Sequence, residues 1–220
     1  MLCDLCGATG LNLAKPNISS QIDSIVYLLF AMATSQYQTR QYVAAQFVES
    51  AGAVLFKVSS REICLVHHQE KDEWLLAKGR CNIEERRQAT AIREVEEETG
   101  YEAELLTVTM TTRAPPAAET RHYPDEPHLH HNVCDPFMMT SRQLDDNNIK
   151  IIWWFIAAID EAEVAGKGEM QFKAQLFGFD EALHKLTYEL DRDIVREAIR
   201  IFEDTHGSGT GTEATSTAHV

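Results

Sequence analysis

The chain has 220 residues, 44% of them hydrophobic and 25% charged, room for one ordinary soluble domain with tails. Its formal net charge of −14 argues against nucleic acid as a partner, because broad affinity for phosphate backbones rests on Lys and Arg. An anionic ligand would need a local basic patch working against that overall field.

Residues 1–45 carry no strong pattern and read as an N-terminal extension, with a short helix expected over 23–34. Cys3-x-x-Cys6 could open a zinc site, but no second Cys or His pair follows at a usual spacing. The apolar run 25–33 is far shorter than the ~20 residues a membrane span needs, so no membrane partner is expected. Its late start and the near absence of a basic leader argue against a secretory signal. Met32 begins a stretch that reads as an ordinary start, so residues 1–31 are expected to be dispensable. The five cysteines, Cys3, Cys6, Cys64, Cys81 and Cys134, are odd in number and scattered. That suits reduced thiols in the cytoplasm, with the nucleus also open.

From Glu49 the pattern sharpens. Residues 50–57 and 62–68 read as two strands joined by a polar turn. Trp74-Leu75-Leu76 and Ala77-Lys78-Gly79-Arg80 follow. Gly79 to Tyr101 then reads GRCNIEERRQATAIREVEEETGY. No Pro or Gly interrupts the run from Glu85, and Gly100 stands where a left-handed glycine would stop a helix. At 3.6 residues per turn, Ala89, Ile92, Val95 and Thr99 share the side expected to pack on a sheet.

Glu94, Glu97 and Glu98, at i, i+3 and i+4, gather carboxylates on another side of that helix. Like charges so spaced cost about 0.2–0.5 kcal/mol per pair. A cation would reverse the sign, and hard oxygen donors suit magnesium or manganese. A plain solvated acidic face is the other reading.

Residues 104–112 are strand-like. The stretch 113–148 holds five of the six prolines and His122, His128, His130 and His131, and reads as a long loop. Those histidines could bind phosphate, ligate zinc with Cys134 or simply face solvent. Ile149–Ile159 is nearly all apolar, as a buried central strand should be. A strand over 169–179 and helices over 181–186, capped by Asp180, and 191–204 complete the pattern. The Gly, Ser, Thr and Ala tail 207–220 is expected to be disordered.

The spacing around the acidic helix resembles the Nudix box, G-x5-E-x7-R-E-U-x-E-E-x-G-U, where U is bulky and apolar. Gly79, Glu85, Arg93, Glu94, Val95, Glu97, Glu98 and Gly100 match, and Tyr101 departs from the usual aliphatic residue. The resemblance implies a Nudix α/β/α sandwich over 46–206, with a mixed sheet between helices, and a pyrophosphohydrolase. It implies that Glu94, Glu97 and Glu98 ligate Mg2+ or Mn2+, joined by the backbone carbonyl of Lys78, with Glu94 or Glu97 the base. It also implies that Arg93 pairs with Glu85 as a brace, an exposed ion pair being the blander alternative.

Lys78-Gly79-Arg80 and Leu186-Thr187-Tyr188-Glu189 are similar to stretches in Nudix enzymes that act on diphosphoinositol polyphosphates and diadenosine polyphosphates. Ala77 and Glu84 depart from that pattern, where Pro and Gly are usual. An anionic polyphosphate small molecule is therefore the expected partner, held by Lys78, Arg80 and Arg113. The alternatives are an ADP-ribose or nucleotide-sugar pyrophosphatase, and a Nudix fold that binds ligand without turning it over.

Overall fold

Two strands of eleven residues each, mostly apolar or small, carry the sheet of this computed structural model, which describes residues 36–118, 122–160, 166 and 168–206. The chain divides into two units, Met1–Gln41 and Tyr42–Val220. Of the first only residues 36–41 are described, where the Thr39 hydroxyl donates to the Tyr37 carbonyl at 3.3 Å. The expectations for the short helix, the Cys3/Cys6 pair, the dispensable start and the tail 207–220 lie outside the described residues.

The second unit runs in order through strands β1 (Phe47–Lys57), β2 (Glu62–His68), β3 (Glu73–Leu75) and β4 (Lys78–Arg80), then helix α1 (Arg87–Thr99). Strands β5 (Ala103–Leu105), β6 (Val108–Thr112), β7 (His128–Val133), β8 (Met138–Gln143), β9 (Ile149–Ile159) and β10 (Phe172–Gly178) follow. Helices α2 (Phe179–Lys185) and α3 (Glu189–His206) close the chain. The main sheet is ordered β10-β2-β1-β9-β5, with β3 beside β2, β4 beside β1 and β8 beside β9. It is mixed: β1 runs parallel to β9 from Phe47 opposite Ile149 to Phe56 opposite Ala158, and antiparallel to β2 and β4.

Alternation along the strands feeds two cores. Ala51, Ala53 and Leu55 of β1 and Phe155 and Ala157 of β9 face α1. Val54 and Phe56, with Ile152, Trp154 and Ile156, face α3. Both strands are therefore buried on both faces, which is why their sequences lack polar alternation. Phe56 stacks on Phe202 of α3 with centroids 4.6 Å apart. Each large side chain so buried contributes about 1.5–3 kcal/mol. The result is a mixed α/β sheet flanked by helices, the fold expected. Among the described residues no helix is long and apolar enough to cross a membrane.

Several expectations change. Helix α1 starts at Arg87, not Glu85, and buries Ala91, Val95, Glu98 and Thr99, whereas Ala89 is exposed. The strand expected over 104–112 is two, because the Leu106 N–H donates to Ile156 at 2.9 Å and the chain then leaves the sheet. β6 pairs instead with β7 in a separate two-stranded sheet. The supposed loop 113–148 thus contains β7 and β8, both half exposed and hence without an apolar run. Asp180 sits in the first turn of α2, whose N-cap is Gly178. Helix α3 extends beyond 191–204 at both ends.

Candidate active site

Strand β4 and helix α1 build the site together. The register sets Gly79 opposite Ala51, on the α1 side of the sheet. The Glu94 carboxylate lies directly over Gly79, in the space a Cβ would fill. Only glycine leaves that room. Gly100, at φ +75°, closes α1 with its N–H on the Glu96 carbonyl at 2.9 Å.

Arg93 is the hub. Its Nε and Nη2 donate to Glu85 Oε1 and Oε2 at 2.8 and 3.0 Å, and Nη2 also reaches the Arg80 carbonyl at 3.0 Å. Its Nη1 donates to Glu94 Oε1 at 2.7 Å and to Glu97 Oε2 at 2.9 Å. A paired, partly buried fork of this kind is a brace between loop and helix rather than a loose surface pair. The Arg93 hydrogen bonds draw the Glu85 carboxyl down to about 2. In return Glu85, then Glu94, hold the guanidinium firmly protonated.

Glu98 is buried, and its Oε2 accepts the Lys78 N–H at 3.2 Å. Burial pushes its carboxyl up to about 8, against the pull of Lys78. Glu94 is also raised, first by burial and against Arg93, with Glu97 and Glu169 adding to the shift. Burial therefore leads, rather than the crowding of like charges that the helix spacing suggested. The three box carboxylates answer to different partners: Arg93 takes Glu94 and Glu97, and the β4 backbone takes Glu98. Among the described residues no closed set of three acidic, His or Cys side chains is formed. The donor chemistry still suits a divalent cation. Glu98 is a buried carboxylate beside Glu94 and Glu169 with one backbone N–H as its hydrogen-bond donor, and hard cations take oxygen ligands. The carbonyl of Lys78 belongs to the peptide that leads into Gly79.

Lys78 and Arg80 share the other face of β4, opposite Gly52 and Ser50. Arg113 does not join them: just past the end of β6, it pairs with Asp125 Oδ1 at 3.0 Å. The histidines do not gather either. His130 and His131 are neighbours on β7 and point to opposite faces, and His131 Nδ1 bonds Thr109 at 3.0 Å. Sequence reasoning missed Glu169, whose N–H donates to the Glu97 carbonyl at 2.8 Å and whose charge reaches Glu94 and Glu98. The sequence pattern makes it the first residue of a strand over 169–179, whereas β10 starts only at Phe172 and leaves Glu169 in the turn before it.

The fold is thus a mixed sheet between helices, with Gly79 of β4 lying under an Arg-Glu-x-x-Glu-Glu helix. The chain matches the family described as "NUDIX domain" over residues 46–198, more than half its length, and belongs to that family. Among solved structures it is similar to a NUDIX hydrolase from Nitrosomonas europaea, at 14% identity over 71% of this chain and 88% of that one, TM-score 0.47. It is also similar to a NUDIX-family hydrolase from Clostridium perfringens, at 15% identity over 73% and 100%, TM-score 0.47. The domain is that of a pyrophosphohydrolase, and it implies cleavage of the pyrophosphate in a nucleoside-diphosphate-linked substrate. Nudix hydrolases generally use divalent metals such as Mg2+.

Proposed function

We propose that this chain is an Mg2+- or Mn2+-dependent pyrophosphohydrolase of the cytoplasm or nucleus. Its substrate is a densely phosphorylated small molecule, with diphosphoinositol polyphosphates and dinucleoside polyphosphates first. The observation that carries the substrate class is that Lys78 and Arg80 stand side by side on one face of β4, next to the box, and neither forms an ion pair among the described residues. In a chain of charge −14, unpaired cations that flank the box glycine suit an anionic ligand.

Glu94, Glu97 and Glu98, with the Lys78 carbonyl, would hold the cation. When bound, it neutralises crowded phosphate charge and lowers the pKa of water. The chain's own groups do the rest. Arg93 orients Glu94 and Glu97 through Nη1, and Glu85 fixes Arg93. Glu94, raised by its burial, is suited to take the proton of the attacking water, and Glu97 is the second candidate. Lys78 and Arg80 hold phosphate oxygens, Arg80 in the forked geometry a guanidinium offers.

The test is one panel with magnesium: diphosphoinositol pentakisphosphate, diadenosine polyphosphates, ADP-ribose and capped RNA. The expected result is turnover of one of the first two classes at the highest kcat/KM. Preference for ADP-ribose would move the substrate to the two-phosphate class. Inactivity throughout would favour a binding module.

A further inference from the structure

We propose that Lys78, Arg80, Arg142 and Lys150 form one phosphate-binding basin on the α3 side of the sheet, which seats the phosphates of the substrate that are not cleaved. This rests on the polyphosphate reading above and adds to it two residues, Arg142 and Lys150.

The register makes the basin. Residues of β1 that alternate toward α3 include Val48, Ser50 and Gly52, in line with Val54 and Phe56. Gly52 lies opposite Lys78 and Ser50 opposite Arg80 on β4. On the other side Val48 lies opposite Lys150 of β9, and Lys150 lies opposite Arg142 of β8. Paired residues share a face, so four cations from three strands meet on one side of the sheet.

The acidic group that faces this cluster is Asp191, whose charge reaches Lys78 and Arg142 without closing an ion pair. Arg61, Arg87, Arg93, Arg192, Arg196 and Arg200 each hold a carboxylate. Among the described residues none of the four basin cations does. The Lys150 ammonium is pushed down by its own burial, then by Lys78, Arg142 and Arg80, and the Glu94 carboxylate pulls the other way. Glu94, on the opposite face of β4, is thus within electrostatic reach of Lys150. Folding gains nothing by gathering these charges, since like charges facing each other across strands are destabilising.

A second observation points the same way. The Ser50 side chain lies on this face, is 0% exposed, and its hydroxyl has no partner. A buried hydroxyl left unsatisfied is costly, and an anion's oxygen would satisfy it. Alongside lies a cavity of about 320 Å³ lined by Lys71, Glu73, Lys78, Arg142, Tyr188 and Asp191. That is the lower end of the range for small-molecule sites. Tyr188 donates its hydroxyl to Glu73 at 2.5 Å.

Titration of inorganic triphosphate into the metal-free full chain tests the basin without catalysis. Wild type should bind, and Arg142→Ala and Lys150→Met should each bind at least ten-fold more weakly. Their melting temperatures should hold or rise, because a repelling charge has gone. With magnesium, both variants should raise KM for diadenosine tetraphosphate at least ten-fold with kcat within two-fold. Turnover of ADP-ribose, which has only two phosphates, should stay within two-fold. Triphosphate binding that is absent in wild type, or equal in wild type and variants, would overturn the basin, as would equal losses on both substrates. Wild-type inactivity on every polyphosphate, with triphosphate still held through Arg142, would overturn the substrate reading and support the basin.

Discussion

Arg93 grips Glu85 through two hydrogen bonds, Nε to Oε1 at 2.8 Å and Nη2 to Oε2 at 3.0 Å, across eight residues of chain. The same guanidinium holds Glu94 and Glu97 through Nη1. One side chain thus ties the loop before α1 to the carboxylates that the chemistry needs.

Glu85→Gln should cost about 1–2 kcal/mol near neutral pH, the scale of a charge-assisted pair that is partly buried. The sign with pH follows from a lowered carboxyl. Its stabilisation is complete above the ordinary value of 4.5 and is lost as pH falls from there toward about 2. Denaturant curves of wild type and variant should therefore converge over that window. A gap that stays constant through it would contradict the brace.

Gly79→Ala places a methyl where the Glu94 carboxylate lies. Either Glu94 swings out or β4 shifts from β1. We expect kcat/KM to fall more than ten-fold, with circular dichroism close to wild type. Full activity would show that Glu94 need not lie there.

Glu84 sits at φ +64°, in the left-handed region. Glycine adopts that region without strain. Glu84→Gly should be neutral or slightly stabilising, and Glu84→Val should cost more than about 1 kcal/mol. Equal melting temperatures for the two variants would count against the strained loop.

Arg113 was a natural candidate for phosphate from its place after the box helix. Its partner is Asp125, and both side chains are largely exposed. Arg113→Ala should leave kcat/KM within two-fold. A loss of ten-fold or more would bring β6 into the site.

These predictions mark where sequence pattern reached the structure and where it stopped. β9 was legible because eleven residues, nearly all apolar, must be buried on both faces. Helix α1 was legible from its uninterrupted run and its glycine stop, although Ala91, not Ala89, faces the sheet. β7 and β8 were hidden by their own exposure: His128, His130 and Asn132, or Thr140 and Arg142, give no apolar alternation, and the prolines around them signal turns. At the site, Arg93, Glu85 and the three box carboxylates could be named because their spacing is local. Arg142 and Lys150 could not. They meet Lys78 only through the pairing of β4, β1, β9 and β8, which no local window contains. Glu169 reaches the box through a backbone contact at the end of α1, again a tertiary fact.

The most direct measurement is kcat of wild type and Glu97→Gln with magnesium, on the best substrate of the panel. Glu97 is exposed, so its exchange for Gln should leave the melting temperature within experimental error. We predict a fall in kcat of at least about 100-fold, because Glu97 is both a proposed cation ligand and the second candidate for base. Chelation of divalent ions should silence wild type equally. A variant that keeps kcat within three-fold would contradict hydrolysis by the box carboxylates.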